Sequence, residues 1–429
     1  MYRVLLYLFY YALNLFTVGS IVEFATTLPL MILVSCGLFF IRSKNVVFGD
    51  MYWFVGYLFF VIGPIQGLVN GCAISGPLGG YCFDNDTIYV VMYYLTFAYM
   101  VLSFFLWRYL TMPLFLPENT GSSSERIKYA FIGFILALFV YLFLSGGPDI
   151  LFMSRSERSE VDRSDFALLF YGIICFSLYV ALYEANFSLR DYRVVLLLSL
   201  MALVCNPMNS PRFVFLATWF PVFMIYNKLS IGYARFYLML FFILLVVMPV
   251  FSIVSRFGFG GDGLSQISLG SVFRIPYIDV VDMALYAHEY VSSYGHGDGA
   301  ILLLFTFFIP RSIWTGKPEL YSLEMGDYLV YQNLAGTSNL SMNFLMDFYY
   351  DLGFSGGLVA LVLFSLFLRL LIHWLSRLEY AWLISIALMG LLPILFRGPF
   401  PAIAGMGFSM LIAFVIYSML AKSYRLKAI

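Results

Sequence analysis

Charge is what this 429-residue chain has least of: 11% of it is Asp, Glu, Lys or Arg, against 62% hydrophobic and 20% aromatic residues. A soluble domain runs to about 25% charged and about 45–50% apolar. At a mean hydropathy of +0.90, an ordinary water-soluble fold is therefore excluded, and the lipid bilayer is the expected solvent. Net charge is missing too, because 24 basic and 24 acidic residues cancel. That removes the electrostatic footprint by which nucleic-acid binders are recognised. Five cysteines without metal-type pairing exclude a zinc module. Cys72 and Cys82 alone lie close enough, in polar surroundings, for a local disulfide, while Cys36, Cys175 and Cys205 sit in apolar runs as core residues. The three histidines show neither HxxxH nor HExxH spacing, which excludes a catalytic metal. GGDG (260–263) and GHGDG (295–299) lack the Gly-Lys-Ser/Thr ending of a phosphate loop and read as turns. No internal repeat, low-complexity tract or pair of interrupted helices of the transporter kind is present.

What the chain does have is long hydrophobic runs. A helix crossing about 30 Å of hydrocarbon needs about 20 mostly apolar residues. Twelve such runs are predicted, over 4–20, 26–41, 51–69, 87–110, 128–145, 165–186, 193–208, 211–227, 236–254, 355–375, 379–396 and 401–421. The first carries Tyr, Asn and Thr with no small-residue cleavage site, so it reads as a retained span rather than a signal peptide. The expected fold is an all-α integral membrane protein. Its expected divisions are nine helices over 1–254 with an outer loop at 146–164, a large extracytoplasmic loop over 255–354, and three helices with a cytoplasmic tail over 355–429.

Basic residues in short loops set orientation, since Lys and Arg resist translocation. With both termini inside, 15 of the 24 basic residues fall on the inner side, and nine fall outside with 18 of the 24 acids. Neutrality is thus a cancellation of about +9 inside against about −9 outside. The outer nine are Arg155, Arg158, Arg163, Arg212, Arg256, Arg274, Arg311, Arg397 and Lys317, almost all arginine. The planar guanidinium fork matches phosphate oxygens bidentately, so an outer cavity lined by it suits a phosphate or diphosphate. The alternative is pairing with outer acids, which is the simpler account of Arg155, Arg158 and Arg163, interleaved with Glu157, Glu160 and Asp162. Arg212, in NPMNSPR (206–212), has no acid nearby in sequence and reads as a substrate contact or a snorkelling side chain. Arg397, in LFRGPFP (395–401), sits in the equivalent place between the last two runs.

The most distinctive segment is YGHGDGAILLLFTFFIPRSIWTGKPEL (294–320). Pro310 and Pro318 break helix, Gly316 frees a turn, Trp314 offers a flat apolar face, and Arg311 and Lys317 bring two cations into a proline-bracketed loop. These are parts for holding a charged glycolipid, or else an interfacial Trp and Arg anchor. Within it, AILLLFTFFI (300–309) is too short to cross and suits a re-entrant or interfacial segment, and 277–293 has a mixed helical pattern. His296 is a candidate base or a surface histidine, and His288 a weaker candidate. Asp347, in MNFLMDFYYDLGFSGG (342–357), is a carboxylate among aromatics at a membrane edge, where desolvation makes it a competent general base. Asp351 lies one turn further on the same face. Asp347 reads equally as a base or as a helix cap, and the cap is the favoured reading for Asp351.

FFIPRSIWTGKP (307–318), preceded by YGHGDG and followed by NFLMDFYYDLGFSGG, resembles the bacterial oligosaccharide repeat-unit polymerases, the Wzy-type O-antigen polymerases. The resemblance rests on Pro310, Arg311, Trp314, Lys317 and Pro318, then Asp347, Tyr349, Gly353 and Gly356. Arg212 is similar to an arginine that follows a glycine-containing turn in that family, although Ser210-Pro211 stands here, and Arg274 in SVFRIPYID is similar to one upstream of the core. The resemblance implies a metal-independent, cofactor-free membrane glycosyltransferase of GT-C type, serving O-antigen or related surface-polysaccharide synthesis in a bacterial inner membrane. It implies undecaprenyl-diphosphate-linked oligosaccharide as both donor and acceptor, a chain-length-regulating copolymerase as a possible partner, and no nucleic acid. The roles it implies are a base at Asp347 or His296, diphosphate and glycan contacts at Arg311, Arg212, Arg274, Lys317 and Arg397, and a sugar or lipid contact at Trp314. An O-antigen ligase and a lipid-linked oligosaccharide flippase are the alternatives.

Overall fold

The computed structural model describes residues 2–17, 21–73, 78–111, 124–153, 166–207, 210–227, 231–243, 247, 279–297, 299–309, 313–335, 342–398 and 400–427. Arg274, Pro310 and Arg311 lie outside the described residues, as do Arg155, Arg158, Arg163 and Arg256.

The described residues are mostly helical, at 79%. Its α-helices are α1 (Tyr2–Thr17), α2 (Ile21–Phe40), α3 (Phe48–Tyr57), α4 (Gly63–Gly67), α5 (Asn85–Thr111), α6 (Ser124–Leu144), α7 (Ala167–Glu184) and α8 (Tyr192–Val204). They continue as α9 (Arg212–Tyr226), α10 (Tyr233–Phe242), α11 (Val280–Tyr294), α12 (Ala300–Thr306), α13 (Tyr321–Tyr331), α14 (Leu345–Leu375), α15 (Ala381–Arg397) and α16 (Phe400–Lys427). A π turn, Leu58–Ile62, joins α3 to α4 into one rod, Phe48–Gly67. A helix covers all or part of each predicted run. Six, Phe48–Gly67, Asn85–Thr111, Ser124–Leu144, Ala167–Glu184, Leu345–Leu375 and Ile403–Lys422, are long and apolar enough to cross a membrane. Six further apolar helices are 10–17 residues long. Large side chains stand out from these helices with nothing over them, among them Phe104 at 73% and Phe143 at 77% exposure. In water such faces would aggregate; on membrane helices they meet lipid tails.

Two compact units are present, each assembled from three stretches of chain. The first comprises Met1–Pro113, Leu269–Leu371 and Leu392–Ala402. The start of its α3 is fixed by Asp50, whose carboxylate accepts the Val47 amide at 2.8 Å and two N–H groups of Arg3, at 2.8 and 3.2 Å. Arg3 also donates to the carbonyls of Ile41, Ser43 and Asn45. Both partners are buried and well satisfied, the condition under which removing one partner of an ion pair costs about 3–5 kcal/mol. After α4 the chain makes a two-strand hairpin, β1 (Leu68–Val69) against β2 (Cys72–Ala73), and a Cys72–Cys82 disulfide closes the loop that follows. The helix core is aromatic: Tyr52 stacks on Tyr99 at 4.7 Å, and Phe396 meets both rings edge-on.

The second unit comprises Leu114–Ser268, Ile372–Leu391 and Ile403–Ile429. Buried hydroxyls tie its helices: Tyr171 with Thr218, Tyr179 with the Thr218 carbonyl, and Ser177 with Tyr417. At one end the buried Glu184 takes Arg126 at 3.3 Å and the Tyr380 hydroxyl at 2.7 Å, and Glu379 lies 3.9 Å from the same arginine.

The segment between α10 and α14 carries three helices of its own among the described residues. The mixed pattern at 277–293 becomes α11, whose first eight residues are buried and which packs on α4 and α5. The apolar stretch 300–309 contributes only the seven residues of α12.

Candidate functional site

Three short polar side chains at four-residue intervals, Asn343, Asp347 and Asp351, begin the construction of the site. Helix amides at an N-terminus have no partner inside their own helix and need an outside acceptor. Asn343 Oδ1 takes the amides of Leu345 and Met346, at 3.0 and 3.3 Å, and so caps its own α14. Asp347 Oδ2 takes the Phe400 amide at 3.2 Å, at the first residue of α16. Asp351 takes the amides of Ala300 and Ile301, at 3.1 and 2.7 Å, and so caps α12. Each residue therefore serves a different helix. Asp347 is only 2% exposed, and no basic side chain pairs with it among the described residues. Asp347, a base or a cap on the sequence, is thus buried and caps α16 with one carboxylate oxygen.

The same contacts gather the separate pieces of the 294–320 and 342–357 segments. Gly297 donates its amide to the Tyr350 carbonyl at 3.0 Å, and His296 Nδ1 lies 3.2 Å from that carbonyl. A carbonyl can only accept, so Nδ1 is the donor, and in the neutral imidazole Nε2 is the nitrogen with the lone pair. His296 is exposed. Gly353 interrupts α14 with φ of 67°, and a Cβ there would stand 2.9 Å from His296 Cε1, so both backbone and space require glycine. Pro318 packs against Gly299, while Lys317 Nζ donates to the carbonyls of Phe307 and Ile309, at 3.0 and 2.8 Å, just past the end of α12. There a cation meets the negative end of the helix. Trp314 is half-buried in the turn leading to Lys317, and its carbonyl takes the Lys317 amide.

Around His296 lies a band of tyrosines and carboxylates on α11, α13 and the start of α14. Tyr350 stacks on Tyr321 at 4.0 Å and donates its hydroxyl to Glu324 at 2.8 Å. Tyr290 donates to the other Glu324 oxygen at 3.1 Å, and burial, then the carboxylate, pushes its phenol up to about 12. Tyr81 donates to Glu289 at 2.8 Å and is likewise pushed up to about 12, by burial first. These phenols remain donors at any physiological pH. His288 Nδ1 bonds the Tyr349 hydroxyl, and burial pulls its imidazole below the ordinary histidine range. Asp84, which caps α5 through the Thr87 amide at 2.6 Å, opposes that shift.

The remaining candidates, Arg397 and Arg212, have contacts of their own. Arg397 ends α15 with Nη2 at 3.3 and 3.5 Å from the Asp279 carboxylate, 118 residues upstream. Arg212 is the first residue of α9 in the second unit, buried, with its guanidinium 5.8 Å from the Phe213 ring. The sequence offered no signal for the tyrosine band, because its members are spread over 270 positions of a chain that holds 33 tyrosines. Among the described residues no group of three or more His, Cys, Asp or Glu is placed to hold a metal. Compared with protein-family models, with curated proteins and with solved structures, the chain finds no match.

Proposed function

We propose that the protein is a membrane glycosyltransferase that polymerises undecaprenyl-diphosphate-linked oligosaccharides on the periplasmic face of a bacterial inner membrane. The observation that carries this reading is the interlocking of 295–297, 299–301, 317–318 and 347–353 around an exposed histidine whose Nδ1 faces the Tyr350 carbonyl. The two segments that resemble the repeat-unit polymerases thus meet in one structural site, which holds an exposed histidine. In the reaction, an acceptor sugar hydroxyl gives its proton to His296 Nε2 and its oxygen bonds the anomeric carbon of the donor glycan. The anomeric C–O bond to diphosphate breaks, and the lipid diphosphate leaves with the electron pair. Cations stabilise the charge that develops there. Arg311 and Arg274 are assigned this role, Lys317 closes the end of α12, and Trp314 contacts sugar or lipid. Arg397, paired with Asp279, drops out of the diphosphate set. Asp347 and Asp351 hold the scaffold.

Two observations support the orientation. All five ion pairs among the described residues join residues assigned to one side of the membrane: Arg3–Asp50, Arg126–Glu184, Arg126–Glu379 and Arg193–Asp191 inside, and Arg397–Asp279 outside. The Cys72–Cys82 disulfide also lies in a loop assigned to the oxidising, periplasmic side.

Reconstitution in liposomes with purified lipid-linked repeat unit tests the reading. A ladder of longer glycans is expected without nucleotide sugar. His296→Ala should lower the rate by about 10²–10⁴-fold, the usual range for a general base, while the protein stays folded. No ladder from the unmodified protein would defeat the proposal, and transfer only to lipid A core would make it a ligase.

A further inference from the structure

We infer that the tyrosine cluster next to His296 is a binding platform for the pyranose rings of an uncharged, hydroxyl-rich glycan, with Glu324 accepting the sugar hydroxyls. The inference deepens the polymerase reading and rests on it for the reaction, while the chemistry of the ligand comes from the cluster. Tyr290 and Tyr294 stand one turn apart on α11, and Tyr328 comes from α13. Their ring centroids are 4.9 Å (Tyr290–Tyr294), 5.4 Å (Tyr290–Tyr328) and 5.0 Å (Tyr294–Tyr328) apart, so the three rings touch in pairs. Tyr294 is 59% exposed, although it pairs hydroxyl to hydroxyl with Tyr328. An exposed ring braced by two half-buried ones offers flat C–H-stacking surface at little entropic cost, since each has only two side-chain torsions.

The polar groups select the ligand. Glu324 is exposed and accepts from Tyr290 and Tyr350. A carboxylate has about four acceptor positions, so capacity remains for donors from a ligand. No Lys or Arg pairs with Glu324 among the described residues, and Asp327, on the same helix, is also exposed. A phosphate or an acidic lipid headgroup would meet uncompensated negative charge there, whereas a polyol brings hydroxyl donors and C–H faces. The platform is continuous with the base: Tyr350 gives its hydroxyl to Glu324 and its carbonyl to His296. Glu324, the acceptor for sugar hydroxyls, is therefore linked through Tyr350 to His296.

Saturation-transfer NMR on the full chain in detergent, with maltotetraose, chitotetraose and mannotetraose as probes and a heparin tetrasaccharide as the acidic control, tests this directly. Transfer to ring protons of at least one neutral tetrasaccharide is expected, with none to heparin. Tyr294→Ala and Glu324→Gln should each weaken binding at least fivefold, and Tyr294→Phe should keep most of it; melting temperature checks that the variants are folded. No transfer to any neutral probe, preference for heparin, or affinity unchanged in both Tyr294→Ala and Glu324→Gln would each overturn the platform. Failure of the polymerase reading is separable. Wild-type protein that extends no lipid-linked unit yet shows tyrosine-dependent binding keeps the platform and loses the polymerase, and a Tyr294→Ala variant that binds and extends like wild type does the reverse.

Discussion

Asp282 has only 3% of its surface exposed, and its Oδ1 finds no hydrogen-bond donor among the described residues. It lies against Gly67 at the end of α4, where the negative end of a helix offers a carboxylate nothing. Burial, and then the charge of Asp279, pushes its carboxyl up to about 7 from 3.8, even though Asp279 is paired with Arg397. A carboxyl raised on folding favours the folded state while protonated. Its stabilisation is whole below about pH 4, is lost as pH rises toward 7, and is absent above that. A shift of this size corresponds to an upper bound of about 4 kcal/mol. Asp282→Asn should therefore raise the melting temperature at pH 8 and change it little at pH 4, read by thermal unfolding in detergent; an equal gain at both pH values would contradict the assignment. Asp347 teaches a related lesson. Its burial among aromatics followed from the sequence, but its hydrogen-bond partner, the Phe400 amide 53 residues away, did not. That partner is what makes it a cap of a distant helix. His296 was the reverse case, since residue type and glycine neighbours made it ambiguous and the Tyr350 carbonyl decided its tautomer.

At the scale of elements, hydropathy located the helices and missed how their ends are served. A run of about 20 apolar residues marks a span because the signal is local and repeated. An N-cap supplied by another helix leaves no trace of that kind. Asp351 is four residues from Asp347 and was expected to behave like a cap of its own helix, yet it holds α12, 50 residues earlier in the chain. Because α12 has only seven residues, it gains little from its own hydrogen bonds and depends on this contact. Asp351→Ala should cost about 1 kcal/mol and speed amide hydrogen exchange over 299–309 by roughly fivefold, with Asp351→Asn retaining most of the protection. Unchanged exchange in the alanine variant would show that α12 is held by Lys317 and Pro318 alone.

For the whole molecule, the informative pattern is how charge is distributed. Removing Arg126 or Asp50 would leave a buried partner uncompensated, so these contacts constrain which ends of helices share a side. The proposed orientation predicts that Ser293→Cys, on α11, reacts with a membrane-impermeant maleimide added to the periplasmic side, and that Asn45→Cys, between α2 and α3, reacts only after the inner face is opened. The opposite result would invert the topology. The sequence by itself determined the solvent, the helical class and the positions of most helices, because hydrophobicity and periodicity are sums over neighbours in the chain. It also marked 294–320 and 342–357 as unusual. Only the tertiary structure decided that these two segments form one site, that Asp347 and Arg397 are engaged and His296 is accessible, and that tyrosines from three helices meet beside it. Burial, tautomer and pairing are properties of groups brought together across tens to hundreds of residues, and no local pattern encodes which groups those are.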